Sequence, residues 1–294
     1  MKKSFLFVAL GVLAFMMASC GENAPVNPNS DNGALKKAFI VDEDGTEVQF
    51  AQGNLQYNPA LKTWRFAEHQ WEVMGENNTH ISEAGYNGWI DLFGWGTGDA
   101  PTRHILDESN YPSFVDWGRN AISNGGNKAY MWRTLSVDEW FHLFFERNGA
   151  DTLFAFGSVN DVNGLILLPE NWVLPAGATF VPSTKKGLVR NKNQYDNAKG
   201  DNFAHNRYSI AEWDVMEQAG AVFLPTAGNR WKNEDLEVIV EYVNERGQYW
   251  MSDPADDDDE VIYARELTFR DNMISPSYRI NRSVGQSVRL VKEK

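Results

Sequence analysis

Apolar and polar positions alternate in short bursts toward both ends of this chain. Phe39-Ile40-Val41 and Val48-Gln49-Phe50-Ala51 flank Asp44-Gly45, a dipeptide that tolerates positive φ, and together they predict a β-hairpin. Trp64-Arg65-Phe66 alternates in the same way and is expected to extend that sheet. Later in the chain, Glu237 to Val243, Gln248 to Trp250, Val261 to Phe269 and Ser287 to Val291 are short and rich in β-branched or aromatic residues, which predicts antiparallel strands.

Two stretches switch to helical spacing, each behind the same start signal. Ser136-Val137-Asp138-Glu139 and Ser209-Ile210-Ala211-Glu212 are capping boxes: the Ser hydroxyl accepts a backbone N–H three residues on, and the Glu reaches back to the Ser N–H. Trp140, Leu143 and Phe144 share a face of the first helix, Trp213 and Met216 a face of the second, and Ala219-Gly220 stops the second. Two main helices among many short strands predict an α+β fold. The intervening stretches 75–128 and 183–206 are long, irregular and rich in Gly, Asn and Asp, a length that goes with function or self-packing.

The chain opens with Lys2-Lys3 and an apolar run from Phe5 to Met17, too short to cross a bilayer comfortably, which reads as a signal peptide over residues 1–19. The run ends in Met17-Ala18-Ser19-Cys20, which resembles a bacterial lipobox. Cys20 is the chain's sole cysteine and is expected to be the lipidated first residue of the mature protein. Gly21 at the next position goes, in lipoproteins it resembles, with delivery to the outer membrane. Residues 20–36 hold two Pro, four Asn and no apolar periodicity and are expected to form a flexible tether, leaving a single domain over residues 37–294.

Charge narrows the partners. Forty Asp and Glu oppose 27 Lys and Arg, a formal net charge of −13 that works against nucleic-acid phosphate and anionic lipid headgroups. The membrane is therefore expected to be met through lipid on Cys20, and no nucleic-acid partner is expected. With 43% hydrophobic and 13% aromatic residues, the chain has ample material for a core.

Four segments then carry a resemblance. Trp132-Arg-Thr-Leu-Ser-Val-Asp-Glu-Trp140, Ala221-Val-Phe-Leu-Pro-Thr-Ala-Gly-Asn-Arg230, Gly247-Gln-Tyr-Trp-Met-Ser252 and Gly285-Gln-Ser-Val-Arg-Leu-Val291 occur in the order of similar blocks in formylglycine-generating-enzyme-like and Fibrobacter-type major paralogous domains. The match spans residues 130–291. It implies a C-type-lectin-like fold: two helices, a twisted antiparallel sheet, paired chain ends and long irregular loops.

Function does not follow from fold, so each candidate site is read separately. Enzymes of that wider superfamily hold copper through a cysteine pair or iron through closely spaced histidines. Here there is one cysteine, and the histidines (His69, His80, His104, His142, His205) lie no closer than eleven residues apart. The expectation is a non-catalytic protein without a cofactor, Ca²⁺ excepted: the run Asp256-Asp257-Asp258-Asp259-Glu260 offers oxygen ligands of the kind calcium takes. Gly94-Trp95-Gly96-Thr97-Gly98 lacks the lysine of a phosphate loop and reads as a tight glycine turn. Trp95, Tyr249 and Trp250, near turns or on a late strand, and Arg270, Asn272, Tyr278 and Arg279, on an expected loop over 270–281, are the candidate ligand-facing residues for a glycan or an envelope protein. The alternatives are a metal-dependent oxidase of the formylglycine-generating kind and a display protein diversified by a retroelement around residues 270–282.

Overall fold

A computed structural model of the protein describes residues 27–104, 113–183, 196–197, 202–233, 237–255, 262–271 and 273–294. The first strands, β1 (Ser30–Asp31) and β2 (Ala34–Leu35), form a hairpin whose turn places Asn32 and Gly33 at φ of 49° and 78°. This corrects the expected tether. Asn27 and Asn29 are buried and donate to the Glu217 carboxylate at 3.1 and 2.8 Å, while Ala34 and Leu35 enter the core. A polar stretch is held here by a buried acceptor that composition cannot reveal. Residues 20–26, with Cys20, lie outside the described residues.

β3 (Phe39–Ile40) pairs with β4 (Glu47–Phe50) across a turn with Gly45 at φ 85°, as the sequence predicts. Trp64-Arg65-Phe66 does not extend this sheet. It belongs to β6 (Thr63–Phe66), which forms a separate hairpin with β5 (Leu55–Asn58). Its turn is closed locally, with the Leu61 N–H donating to Asn58 Oδ1 at 2.9 Å and Lys62 at φ 52°.

Helix α1 (Val137–Phe141) starts on the predicted capping box. The Glu139 N–H donates to Ser136 Oγ at 3.2 Å, the Ser136 N–H donates to Glu139 Oε2 at 2.7 Å, and the chain continues through one π-helical turn over His142–Glu146. β7 (Phe154–Val159) and β8 (Val162–Leu167) follow as a hairpin, then β9 (Asp196–Asn197) and β10 (Arg207–Tyr208). Helix α2 (Ile210–Ala219) carries the second capping box and ends at Gly220, whose φ of 112° suits a residue without Cβ. The remaining strands are β11 (Val222–Pro225), β12 (Asn229–Lys232), β13 (Val238–Glu241), β14 (Arg246–Pro254), β15 (Tyr263–Arg270), β16 (Met273–Asn281) and β17 (Val291–Glu293). The fold is α+β with strands predominating.

Two sheets of four strands run in the orders β10-β7-β8-β11 and β14-β15-β16-β9, and β12 pairs with β13. A three-stranded sheet, β17-β4-β3, places Val291 opposite Phe50 and Phe39 opposite Val48, so the two ends of the domain share one sheet. Between these layers, Phe39, Phe50, Trp140, Phe144, Phe154, Tyr249 and Phe269 form one buried cluster. A second gathers Trp64, Phe66, Trp95, Trp117, Trp132 and Trp250, and a third lies under α2 with Trp213, Met216 and Phe223. The helical aromatics are core, as their spacing predicts. Among the described residues, no helix is long and apolar enough to cross a membrane.

Candidate functional site

Successive side chains on a strand point to opposite faces, and this parity builds the site. β14 and β15 pair antiparallel with Arg246 opposite Arg270, Gln248 opposite Thr268 and Trp250 opposite Glu266. The intervening Tyr249, Met251, Leu267 and Phe269 enter the first apolar cluster. Arg246, Gln248, Glu266, Thr268 and Arg270 instead line a cleft of about 450 Å³, with Met273, Tyr278 and Ile280 of β16. A register shift between Glu266 and Thr268 sets Tyr278 opposite Glu266 and so brings the phenol to this face.

The cleft floor is a buried polar chain. Asn229 Nδ2 donates to Gln248 Oε1 at 2.8 Å, Gln248 Nε2 donates to Glu266 Oε2 at 3.0 Å, and Gln286 Nε2 donates to the same oxygen. Burial of Glu266 pushes its carboxyl up to about 8, against the pull of the two amides and of Arg246. The carboxyl is therefore mostly protonated at neutral pH. Arg246 lies with its guanidinium carbon 4.2 Å from the centre of the Tyr242 ring. Its buried Nε has no hydrogen-bond partner in the structure, nor have Asn229 Oδ1 and Gln286 Oε1. Buried polar atoms are normally paired, and these three lie on or beside the same buried polar chain.

Neighbouring clefts extend the depression. One of about 340 Å³ shares Arg246 and Arg270 and adds Tyr242, Glu245 and Asp271; another of about 480 Å³ continues through Asp271 to Ser158, Asp161 and Arg207.

The sequence-based candidates divide. Arg270 and Tyr278 line the cleft. Arg279, one residue on, has the opposite parity and stacks 4.0 Å over the Tyr263 ring. Trp95, Tyr249 and Trp250 are corrections: each is buried, not ligand-facing. Trp95 Nε1 donates to the Met251 carbonyl at 2.8 Å, Trp250 Nε1 to the Phe93 carbonyl at 2.6 Å, and the Tyr249 hydroxyl to the Pro225 carbonyl at 2.8 Å. Their polar tips are satisfied inside, which lets large amphipathic rings serve as core. The turn over residues 94–98 buries Trp95, with Gly96 at φ 65°. The expected loop over 270–281 is also corrected, since Met273–Asn281 is a strand. Asn272 and Asp256, Asp257, Asp258, Asp259 and Glu260 lie outside the described residues.

Sequence reading missed Arg246, Gln248, Glu266 and Thr268. The available signal was an adjacent charged pair, Arg265 and Glu266, inside the otherwise mostly apolar predicted strand 261–269. A second group also escaped it, because two of its three members are glutamates: Glu68, His69 and Glu72 each bring a metal-ligand atom within 4.8 Å of the others. There the Glu68 N–H donates to Glu72 Oε2 at 3.1 Å and the His69 ring stacks 4.5 Å from the nearest Trp71 ring centre.

The chain matches no family model, no curated protein and no solved structure.

Proposed function

We propose that the chain is a non-catalytic lipoprotein of the bacterial outer membrane, anchored through Cys20 and presenting a C-type-lectin-like domain that binds a glycan or an envelope protein in the Arg246–Glu266–Arg270–Tyr278 cleft. The cleft carries this reading: charged, amide, hydroxyl and aromatic groups from three adjacent strands converge on a hollow of ligand size. Two helices, sheets that are antiparallel apart from the β10–β7 pair, and the pairing of β17 with β4 support the lectin-like fold. The blocks that carry the resemblance have structural partners. Arg133 grips Glu139 across the first, and Arg230 packs beneath Gly285 across the second and fourth.

A glycan and envelope-protein array probed with the protein, with Ca²⁺ and again with EDTA, tests the reading. Binding that survives EDTA and falls in a Tyr278→Ala variant is the expected result. Binding abolished by EDTA and unchanged in Tyr278→Ala would transfer the site to the acidic run 256–260.

A further inference from the structure

The cleft has a charge character of its own within an acidic protein. Arg246 and Arg270 are direct partners across β14 and β15, so two guanidinium-bearing residues stand side by side at one end of the hollow. Like charges placed opposite one another in a sheet disfavour each other, and they persist more readily when something between them is negative. The Tyr242 ring orients Arg246, whose buried Nε lacks a partner, while Arg270 is exposed.

The titratable groups around this point come from every adjoining element. Arg246 is on β14, Glu266 and Arg270 are on β15, and Tyr278 is on β16; Tyr242, Glu245 and Asp271 border the next cleft. Of the three acids, Asp271 accepts the Phe203 N–H at 3.1 Å, and Glu266 accepts from Gln248 and Gln286. Its burial keeps Glu266 mostly uncharged at neutral pH. Within the cleft itself the two arginines are the charged side chains under those conditions.

We propose that this cleft takes an acidic saccharide, a sugar bearing a carboxylate or sulfate group next to free hydroxyls. The inference rests on the cleft being the binding site. The anionic group pairs with Arg246 and Arg270, where charge-assisted hydrogen bonds are strongest. Thr268, Tyr278 and the Glu266 carboxyl supply hydroxyl partners, and Met273 and Ile280 supply apolar surface for the C–H face of a ring. A volume of about 450 Å³ accommodates one or two sugar units. Extended polyanions such as nucleic acids are disfavoured by the net charge of −13 around it.

The test is titration calorimetry on the full-length chain in detergent with galacturonate, N-acetylneuraminate, galactose 6-sulfate, galactose, and a short peptide with a free C-terminal carboxylate. Acidic sugars are expected to bind at least about tenfold tighter than galactose, the worth of one charge-assisted contact. Arg270→Glu is expected to weaken the acidic sugars at least about tenfold more than it weakens galactose, so that the preference is lost, and Tyr278→Ala weakens every sugar. The carboxylates and the sulfate ester compared with each other identify which anion is taken. Galactose binding as tightly as the acids, equal binding by the peptide, or acidic-sugar binding that survives Arg270→Glu overturns the inference. If array ligands bind through Tyr278 while no acidic sugar binds, the charge class falls and the cleft stands. If Tyr278→Ala affects no ligand, the cleft falls as well.

Discussion

Asn29 Nδ2 donates to Glu217 Oε2 at 2.8 Å, joining the described N-terminus to the last turn of α2 across 188 positions of sequence. Glu217 Oε1 also accepts from Asn27 at 3.1 Å and from Gln70 at 2.6 Å, and the whole group is buried. One carboxylate thus gathers three amides from two separate stretches of chain. Buried donors deprived of their acceptor cost the full desolvation penalty. Glu217→Ala is expected to lower unfolding free energy by about 3 kcal/mol. It should also release residues 27–29, read by urea titration and by faster hydrogen exchange confined at first to that segment.

Arg133 offers a more local case. Its guanidinium donates twice to Glu139, at 2.9 and 2.7 Å, and Glu139 Oε2 also accepts the Ser136 N–H of the capping box. The bidentate geometry depends on the planar fork, which lysine lacks. Arg133→Lys is expected to destabilise the protein by about 1 kcal/mol in denaturant titration, with Glu139→Gln costing more because it also weakens the cap.

The pH dependence follows from Glu266. Its folded pKa is raised from 4.5 to about 8 by burial. A folded state that holds a proton the unfolded chain has released is most stable below the unfolded pKa, and it loses stability as pH rises through the folded value. The Tm should therefore fall between about pH 5 and pH 8. Asp91, buried and raised from 3.8 to about 6, adds a similar step at the acid end of that range. In Glu266→Gln the upper part of the decline should disappear, leaving the Asp91 step. A Tm that stays flat from pH 6 to 8 in the parent protein would refute this assignment.

Gly118 tests a close backbone approach. A Cβ at this position would overlap the carbonyl oxygen of Trp132, and Trp132 is itself buried with its Nε1 donating to the Gly125 carbonyl at 2.8 Å. Relief requires moving backbone, so Gly118→Ala is expected to cost about 3 kcal/mol or more. Gly85→Ala, which meets nothing within 4 Å, should be nearly neutral in the same assay.

The proposed lipid anchor on Cys20 is checked by fractionation. With two or more acyl chains on Cys20, the protein should sediment with membranes, and Cys20→Ser should move it to the soluble fraction.

Local chemistry determined a definite part of this protein. Both capping boxes, the Gly220 stop and the Asp44-Gly45 turn are readable in the sequence, because each is decided within about five residues by side-chain-to-backbone bonds or by tolerance of positive φ. The apolar spacing of Trp140, Leu143 and Phe144, and of Trp213 and Met216, likewise announces the buried helix faces. Tertiary structure decided what depends on distant partners. Trp95, Tyr249 and Trp250 are interior because carbonyls of Met251, Pro225 and Phe93 receive their polar atoms, and no window of sequence around each ring contains all those acceptors. The polar run at residues 27–29 is held because Glu217 lies buried beside it. The cleft shows the same division: Tyr278 and Arg279 are both residue types favoured at binding surfaces, but strand parity and a register shift turn only Tyr278 into the hollow beside Glu266. Propensity is a property of neighbours along the chain, whereas burial, register and facing are set by whichever strands meet across it.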